Sequence, residues 1–288
     1  MQTRPLGPGF AVEVSGVDPS RRISEAEAEE LRALLDTHQL LVLRAPGLDW
    51  EAQRRFLALF GPIFDEARDG SGYSRVSNVV GVFPTGRLLF HQDFAFTPHP
   101  HPVQSLFAEE VSGGVAPTLF VSNSRGFERL SPAQREAWAG LTGVHARDAT
   151  RSGQPDDEFV RVRLRALPDG DDPQRYPRAH HPVLLRHPRT CAPLLFVNEY
   201  YTSHILELPG DDGEQVIQDA LALLYDPADI YAHDWRPGDL VVWDNIALQH
   251  ARSAVSPDTR RTLRRILVNG QAPVSGSPGV AQPAGAMG

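Results

Sequence analysis

Apolar and polar residues alternate along FAVEVSGVDPS (Phe10–Ser20) until Gly-Val-Asp-Pro breaks the pattern, which predicts a strand and a turn. The period then lengthens. Ser24 stands before EAEAEELRALLDTH, with acids in the first turn and Leu31, Leu34 and Leu35 at helical spacing, so an amphipathic helix with a serine N-cap is expected. QLLVLRA reads as a buried strand, and DWEAQRRFLALFG as a second helix capped by Asp49 and stopped by Gly61. After strand-like YSRVSNVVGVF, short apolar runs dominate: LLFHQDF, VQSLFAEEV, TLFVSNS, PVLLRHP and PLLFVNEYY. Helices are predicted at SPAQREAWAGL, opened by Ser131-Pro132, and at GEQVIQDALALLYD. Near the end, GDLVVWDNIALQHAR and RRTLRRILVNG read as strand pairs around a turn at SPD.

Helices early and many short strands later predict a mainly β fold with flanking helices, a β-sandwich or jelly roll rather than a doubly wound sheet. Residues 1–270 are expected to form a single domain. The polar stretch 149–178, rich in Asp, Arg and Pro and preceded by His145 and Arg147, reads as a lid insertion. Residues 271–288 are mostly Pro, Gly, Ala and Ser and read as a flexible tail. No repeat appears, and no Gly-rich phosphate loop follows a strand.

Composition narrows the function classes. A 41% hydrophobic content over 288 residues is enough for a real core. The net charge of -8, with no Lys and no block of Arg, argues against nucleic acid as the main partner, while leaving room for one basic pocket. Cys191 is the only cysteine, which excludes an internal disulfide and a cysteine-based zinc cluster. The N-terminus has no apolar core of a signal peptide, and no apolar run approaches the roughly 18 residues of a membrane span. A cytoplasmic protein without a membrane partner is expected; whether it is a homo-oligomer stays open.

The chemistry concentrates in LLFHQDF. If this is a strand, His91 and Asp93 point to one face and Gln92 to the other. One imidazole and one carboxylate suit a borderline divalent ion such as Fe(II), and a third ligand would complete a facial triad. His250, at the end of the apolar run in WDNIALQHAR, is the best candidate. The remaining histidines (His38, His99, His101, His145, His180, His181, His187, His204 and His233) read mostly as hydrogen-bonded or solvated bystanders. Arg261 and Arg265 follow His250 by eleven and fifteen residues and share a strand face with Leu263. Two guanidiniums on an inward face would each require an anion; on an outward face they would meet only solvent and nearby acids. Spacing alone leaves both registers open.

Taken together, HQLLVLR, His91-X-Asp93, GGVAPTLFVS, LLFVNEYYT and GDLVVWDNIALQHAR resemble the taurine dioxygenase-like (TauD/TfdA) Fe(II)/2-oxoglutarate-dependent oxygenases. The resemblance runs from RPLGPGFAVEVSGVD to RRTLRRILVNG and implies a double-stranded β-helix, the jelly roll expected above. It implies that His91, Asp93 and His250 bind Fe(II), and that Thr118 and Arg261 hold the far carboxylate of 2-oxoglutarate. It further implies that a small-molecule substrate and O2 meet there, giving succinate, CO2 and an oxidised product. Related halogenases lack the carboxylate that Asp93 supplies, so chlorination is disfavoured. Hydroxylation is the expected outcome; desaturation, epoxidation and cyclisation would use the same residues.

Arg265 matches the place where taurine and aryloxyacetate enzymes meet the substrate's acidic group, unless it is a framework residue pairing with Asp93. Glu66 stands near a position where the taurine enzymes carry a sulfonate-binding His, which makes taurine an unsuitable substrate. It faces a substrate amine or amide, or solvent. Tyr201 matches a pocket aromatic or packs in the core. These features point to a small polar substrate, amino-acid or peptide-like, from natural product biosynthesis. The rivals are a zinc hydrolase, which leaves Thr118 and Arg261 without a role, a non-catalytic β-sandwich binding protein, and a redox module, for which cysteine clusters and nucleotide loops are missing.

Overall fold

The computed structural model describes residues 1–66, 68–80, 86–147 and 177–270. Two sheets make the frame. The larger runs in the order Gln2–Pro5, Ala11–Ser15, Leu40–Arg44, Asp239–Asp244, Val103–Val111, Arg261–Val268 and Ile63–Phe64, and Ser74–Ser77 also pairs with Arg261–Val268. The smaller runs Tyr231–His233, Thr118–Ser122, Leu248–Arg252 and Leu88–His91. Pairing is antiparallel except between Ala11–Ser15 and Leu40–Arg44. From Leu88 to Ser122, and again from Tyr231 to Val268, strands adjacent in the chain alternate between these two sheets, which is the jelly-roll arrangement. No helix among the described residues is long and apolar enough to cross a membrane.

Strict alternation in the central strands explains why both faces are buried. Leu41, Leu43, Leu240 and Val242 point outward, where they pack with Leu31, Leu35, Phe56 and Leu57 of the helices Glu25–His38 and Trp50–Leu57. Leu40, Val42, Val241 and Trp243 point inward onto Phe120 and Leu248 of the smaller sheet. Both helices begin as their sequences require. Ser24 and Glu27 form a capping box, and the Asp49 carboxylate accepts from Ala52 N.

The alternation also fixes the register of the last strand. Leu263 lies in the inner cluster and Ile266 and Val268 in the outer one. Arg261 and Arg265 therefore share the inner face. Arg264 points outward and is consumed beneath the helices, donating to Gln53 Oε1 at 2.6 Å, Glu109 Oε1 at 2.9 Å and Leu48 O at 2.7 Å.

Four expectations need amending. The strand in LLFHQDF ends at His91, and Asp93 lies in the turn beyond it. The strands flanking SPD do not pair with each other: Leu248–Arg252 belongs to the smaller sheet and Arg261–Val268 to the larger. Asn123 and Ser124, read as the end of the strand in TLFVSNS, instead open a short helix, Asn123–Glu128, capped by Ser122. Of the stretch 149–178, residues 149–176 lie outside the described residues, as does 271–288; Arg178 already opens a strand, Arg178–Pro182, paired with Thr142–Ala146.

Candidate active site

Sheet pairing brings the two histidines together. His250 and His91 are directly opposed on neighbouring antiparallel strands, so their side chains leave the same face, and their ring centroids are 4.2 Å apart. His91 Nδ1 lies 2.7 Å from Leu89 O, a contact that fixes the ring and leaves Nε2 facing Asp93 Oδ1 at 3.3 Å. All three side chains are buried, and one ligand atom from each lies within 4.8 Å of the others.

Asp93 needs a separate device, because it has left the strand. Phe94, a non-glycine at φ 62°, turns the chain immediately after it. The side chain of Asn245 acts as a surrogate strand: its Oδ1 accepts from Asp93 N and its Nδ2 donates to Asp93 O, both at 3.0 Å. Its remaining capacity goes to Gln104 Nε2 at 2.7 Å and His101 O at 2.8 Å. Gln92 does face the other way, where its Oε1 accepts from Asn198 Nδ2 at 2.9 Å. Asn198 Oδ1 in turn accepts from Tyr201 N at 2.6 Å, tying the aromatic turn to the segment between the two candidate ligands.

The charge states suit a cation. Burial pushes the Asp93 carboxyl upward, but Arg265 and the neighbouring imidazoles outweigh it and hold the group well below the usual carboxylate range. Burial pulls His250 down to about 3, helped by His91, so it is neutral with a free lone pair. His250 Nδ1 is buried without a hydrogen-bond partner among the described residues. Two imidazoles and one carboxylate are a donor set fitted to Fe(II).

A second feature sits one pleat along. Thr118 and Phe120 belong to the strand beside His250, with Phe120 opposite His250 and Thr118 opposite Arg252, so Thr118 lies about 7 Å from the imidazole level along the sheet. Arg261 reaches it from the opposing sheet, its Nη2 donating to Thr118 Oγ1 at 3.0 Å. Trp235 Nε1 donates to the same oxygen at 3.0 Å, and its ring lies 5.9 Å from the Arg261 guanidinium. With two donors on its oxygen, the Thr118 hydroxyl has its own proton left to give. Arg261 is buried, has no carboxylate partner among the described residues, and its Nε is unbonded. Burial, with Arg252 nearby, pulls its pKa down to about 9. A charged fork and a hydroxyl proton converge where an anion would complete them.

Arg265 lies between Asp93 and Glu66 and pairs with both; Glu66 is therefore not simply solvated. Tyr201 packs on Phe96 (5.0 Å between centroids) and on His91 (5.8 Å), and Tyr200 stands 5.4 Å from His91. Burial raises the Tyr201 phenol far above its ordinary value, so it stays neutral. Asn245, Trp235 and Tyr200 complete the site without having stood out in the sequence. Only Asn245 left a trace there, as a polar residue at the Asp-Asn turn closing an apolar strand.

Four of the other histidines are held structurally: His187 by Asp244, His233 by Asp239, and His101 and His181 by backbone carbonyls. Burial keeps His101, His145, His181 and His250 below the ordinary histidine value. Lowered folded pKa values mean that the unfolded chain binds more protons once pH falls below about 6.5, so stability must drop with pH from there downward. Each histidine that stays neutral contributes up to about 2 kcal/mol of loss by about pH 5. Urea unfolding of metal-free protein should show the midpoint falling between about pH 7.5 and 5; a flat midpoint would contradict buried neutral imidazoles.

The chain is similar in sequence and in fold to known proteins. The family described as taurine catabolism dioxygenase TauD, TfdA matches residues 2–267. Pentalenolactone F synthase of Streptomyces arenae is 32% identical over 93% of this chain and 95% of its own. Tyrosine isonitrile desaturase of Erwinia amylovora is 27% identical over 91% of this chain and 88% of its own. The crystal structure of AAD-2 in complex with Mn(II) and N-oxalylglycine superposes with a TM-score of 0.79 at 23% identity, covering 94% of this chain and 98% of that one.

Proposed function

The chain belongs to the TauD, TfdA family of iron(II)- and 2-oxoglutarate-dependent dioxygenases, and on that premise we propose that it hydroxylates an unactivated C–H bond of a small polar molecule, amino-acid or peptide-like, in natural product biosynthesis. 2-Oxoglutarate and O2 become succinate and CO2 in the same turnover. Iron(II), when bound, supplies the activation of O2 that saturated carbon otherwise resists.

His91, Asp93 and His250 would hold the metal from one side. Thr118 and Arg261 would bind the distal carboxylate of 2-oxoglutarate and so fix its other end toward the metal. Arg265 keeps Asp93 ionised, and Asn245 keeps it in place. Phe96, Tyr200 and Tyr201 form an aromatic wall beside His91 that would exclude water and orient the substrate. The observation that carries this reading is the pairing of a convergent metal triad with a buried guanidinium on the same inner space that has no carboxylate partner among the described residues. A non-catalytic sandwich gains nothing from that unbalanced charge, and a zinc hydrolase leaves it idle.

Anaerobic addition of Fe(II) and 2-oxoglutarate should produce the weak visible charge-transfer absorption of the chelate. Its absence would refute the reading. Compounds bearing amines or amides should then be screened for coupled succinate formation. A product gaining one oxygen marks hydroxylation. A product losing two hydrogens marks desaturation, the second reading, which the relative named as a desaturase supports.

A further inference from the structure

Arg265 stands beside Asp93 with its charge already matched. Nη1 donates to Asp93 Oδ2 at 3.2 Å, Nη2 donates to Glu66 Oε1, and Nε donates to Ser74 Oγ at 3.3 Å. Ser74 also donates its hydroxyl proton to Glu66 Oε2, so both Glu66 oxygens are engaged. The side chains of Arg265, Asp93 and Glu66 are 14%, 11% and 27% exposed, which leaves little solvent to screen them. One cation thus faces two anions. A metal ion would compensate Asp93 and leave Arg265 and Glu66 as a closed pair. An incoming carboxylate or sulfonate would meet Glu66 as closely as Arg265, and would have to displace it.

We propose that Glu66 is a specificity-determining residue that withdraws Arg265 from anion recognition, so that the substrate presents an uncharged polar group, such as an amide or ester carbonyl, at this end of the pocket. The proposal rests on the iron and 2-oxoglutarate reading of the site. It narrows the substrate class from amino-acid or peptide-like compounds to those whose carboxyl is capped. The neutral Tyr201 and the Phe96 ring on the adjoining wall suit such a molecule. An unused Arg265 N–H can still donate to a carbonyl oxygen without breaking the pair, because three of the five guanidinium protons suffice for the contacts described.

The test uses wild type and Glu66→Gln, each loaded anaerobically with Fe(II) and 2-oxoglutarate. The chelate absorption is read before any probe is added, so failure of the cofactor assignment is seen separately. Propionate, methanesulfonate and propionamide are then titrated, and perturbation of that absorption is followed. Wild type should bind the two anions no better than the amide. Glu66→Gln should bind them at least about tenfold more tightly than wild type does. Equal anion affinity in the two proteins overturns the proposal, as does tighter binding of either anion than of the amide by wild type. If the variant does not load, the wild-type comparison alone decides.

Discussion

Arg261→Gln is expected to raise the KM for 2-oxoglutarate by about 10²- to 10³-fold, the equivalent of about 3–4 kcal/mol for a carboxylate deprived of its charged partner in a buried site. Arg261 is the residue whose isolated state the fold leaves unresolved: buried, charged, bonded to one neutral hydroxyl and carrying an idle Nε. The same fact predicts the sign of a second measurement. A guanidinium serving the fold would destabilise the protein when removed. One waiting for a ligand costs the free protein stability, so Arg261→Gln without 2-oxoglutarate should unfold at the same urea concentration as wild type or a higher one. Thr118→Val should act in the same direction but less, by about 10- to 100-fold in KM, since it removes the ligand's hydroxyl donor and leaves Trp235 Nε1 without an acceptor. Initial rates of succinate formation against 2-oxoglutarate concentration decide the matter. A KM within about threefold of wild type would remove Arg261 from the site.

Much of this site could be read in the chain because sheets convert spacing into direction. The parity of Arg261, Leu263 and Arg265 put both arginines on one face before any fold was known. Which face that was could not be read, because RRTLRR has charge on both parities. It was decided by Leu263 meeting the inner cluster and Arg264 finding Gln53 under a helix. The convergence of His91 with Asp93 was legible for a reason that proved incomplete. Alternation assumes a strand, but the strand stops at His91, and Asn245 re-creates its pairing with a side chain 152 residues away. No local pattern encodes such a contact. The state of Arg265 was open for a similar reason. Its partners Asp93 and Glu66 are distant in sequence, and only their meeting with Ser74 shows that its charge is shared. The alternation of consecutive strands between two sheets was likewise invisible at SPD, where a tight turn reads as a hairpin although its arms belong to opposite walls. The residues that sequence reasoning located were those whose chemistry is unusual for their burial; those it missed satisfy other groups.

His250→Ala and Asp93→Ala should both lose Fe(II) and at least about 10³-fold in turnover, yet differ in what they do to the metal-free protein. Among the described residues His250 Nδ1 has no hydrogen-bond partner, so removing the ring costs the apoprotein no polar contact at that atom, only the packing on Phe120 and Trp243. Asp93 accepts one of the three hydrogen bonds that Arg265 donates. Its removal leaves Glu66 to balance the charge but strips a buried guanidinium N–H of its acceptor, at a cost of about 1–3 kcal/mol. The two variants therefore separate a shared function from unequal structural roles. Metal content after reconstitution and the chelate absorption report the first; urea midpoints of the apoproteins report the second. Retention of stoichiometric iron by either variant would break the triad. An Asp93→Ala apoprotein with the midpoint of wild type would show that Glu66 and Ser74 suffice for Arg265.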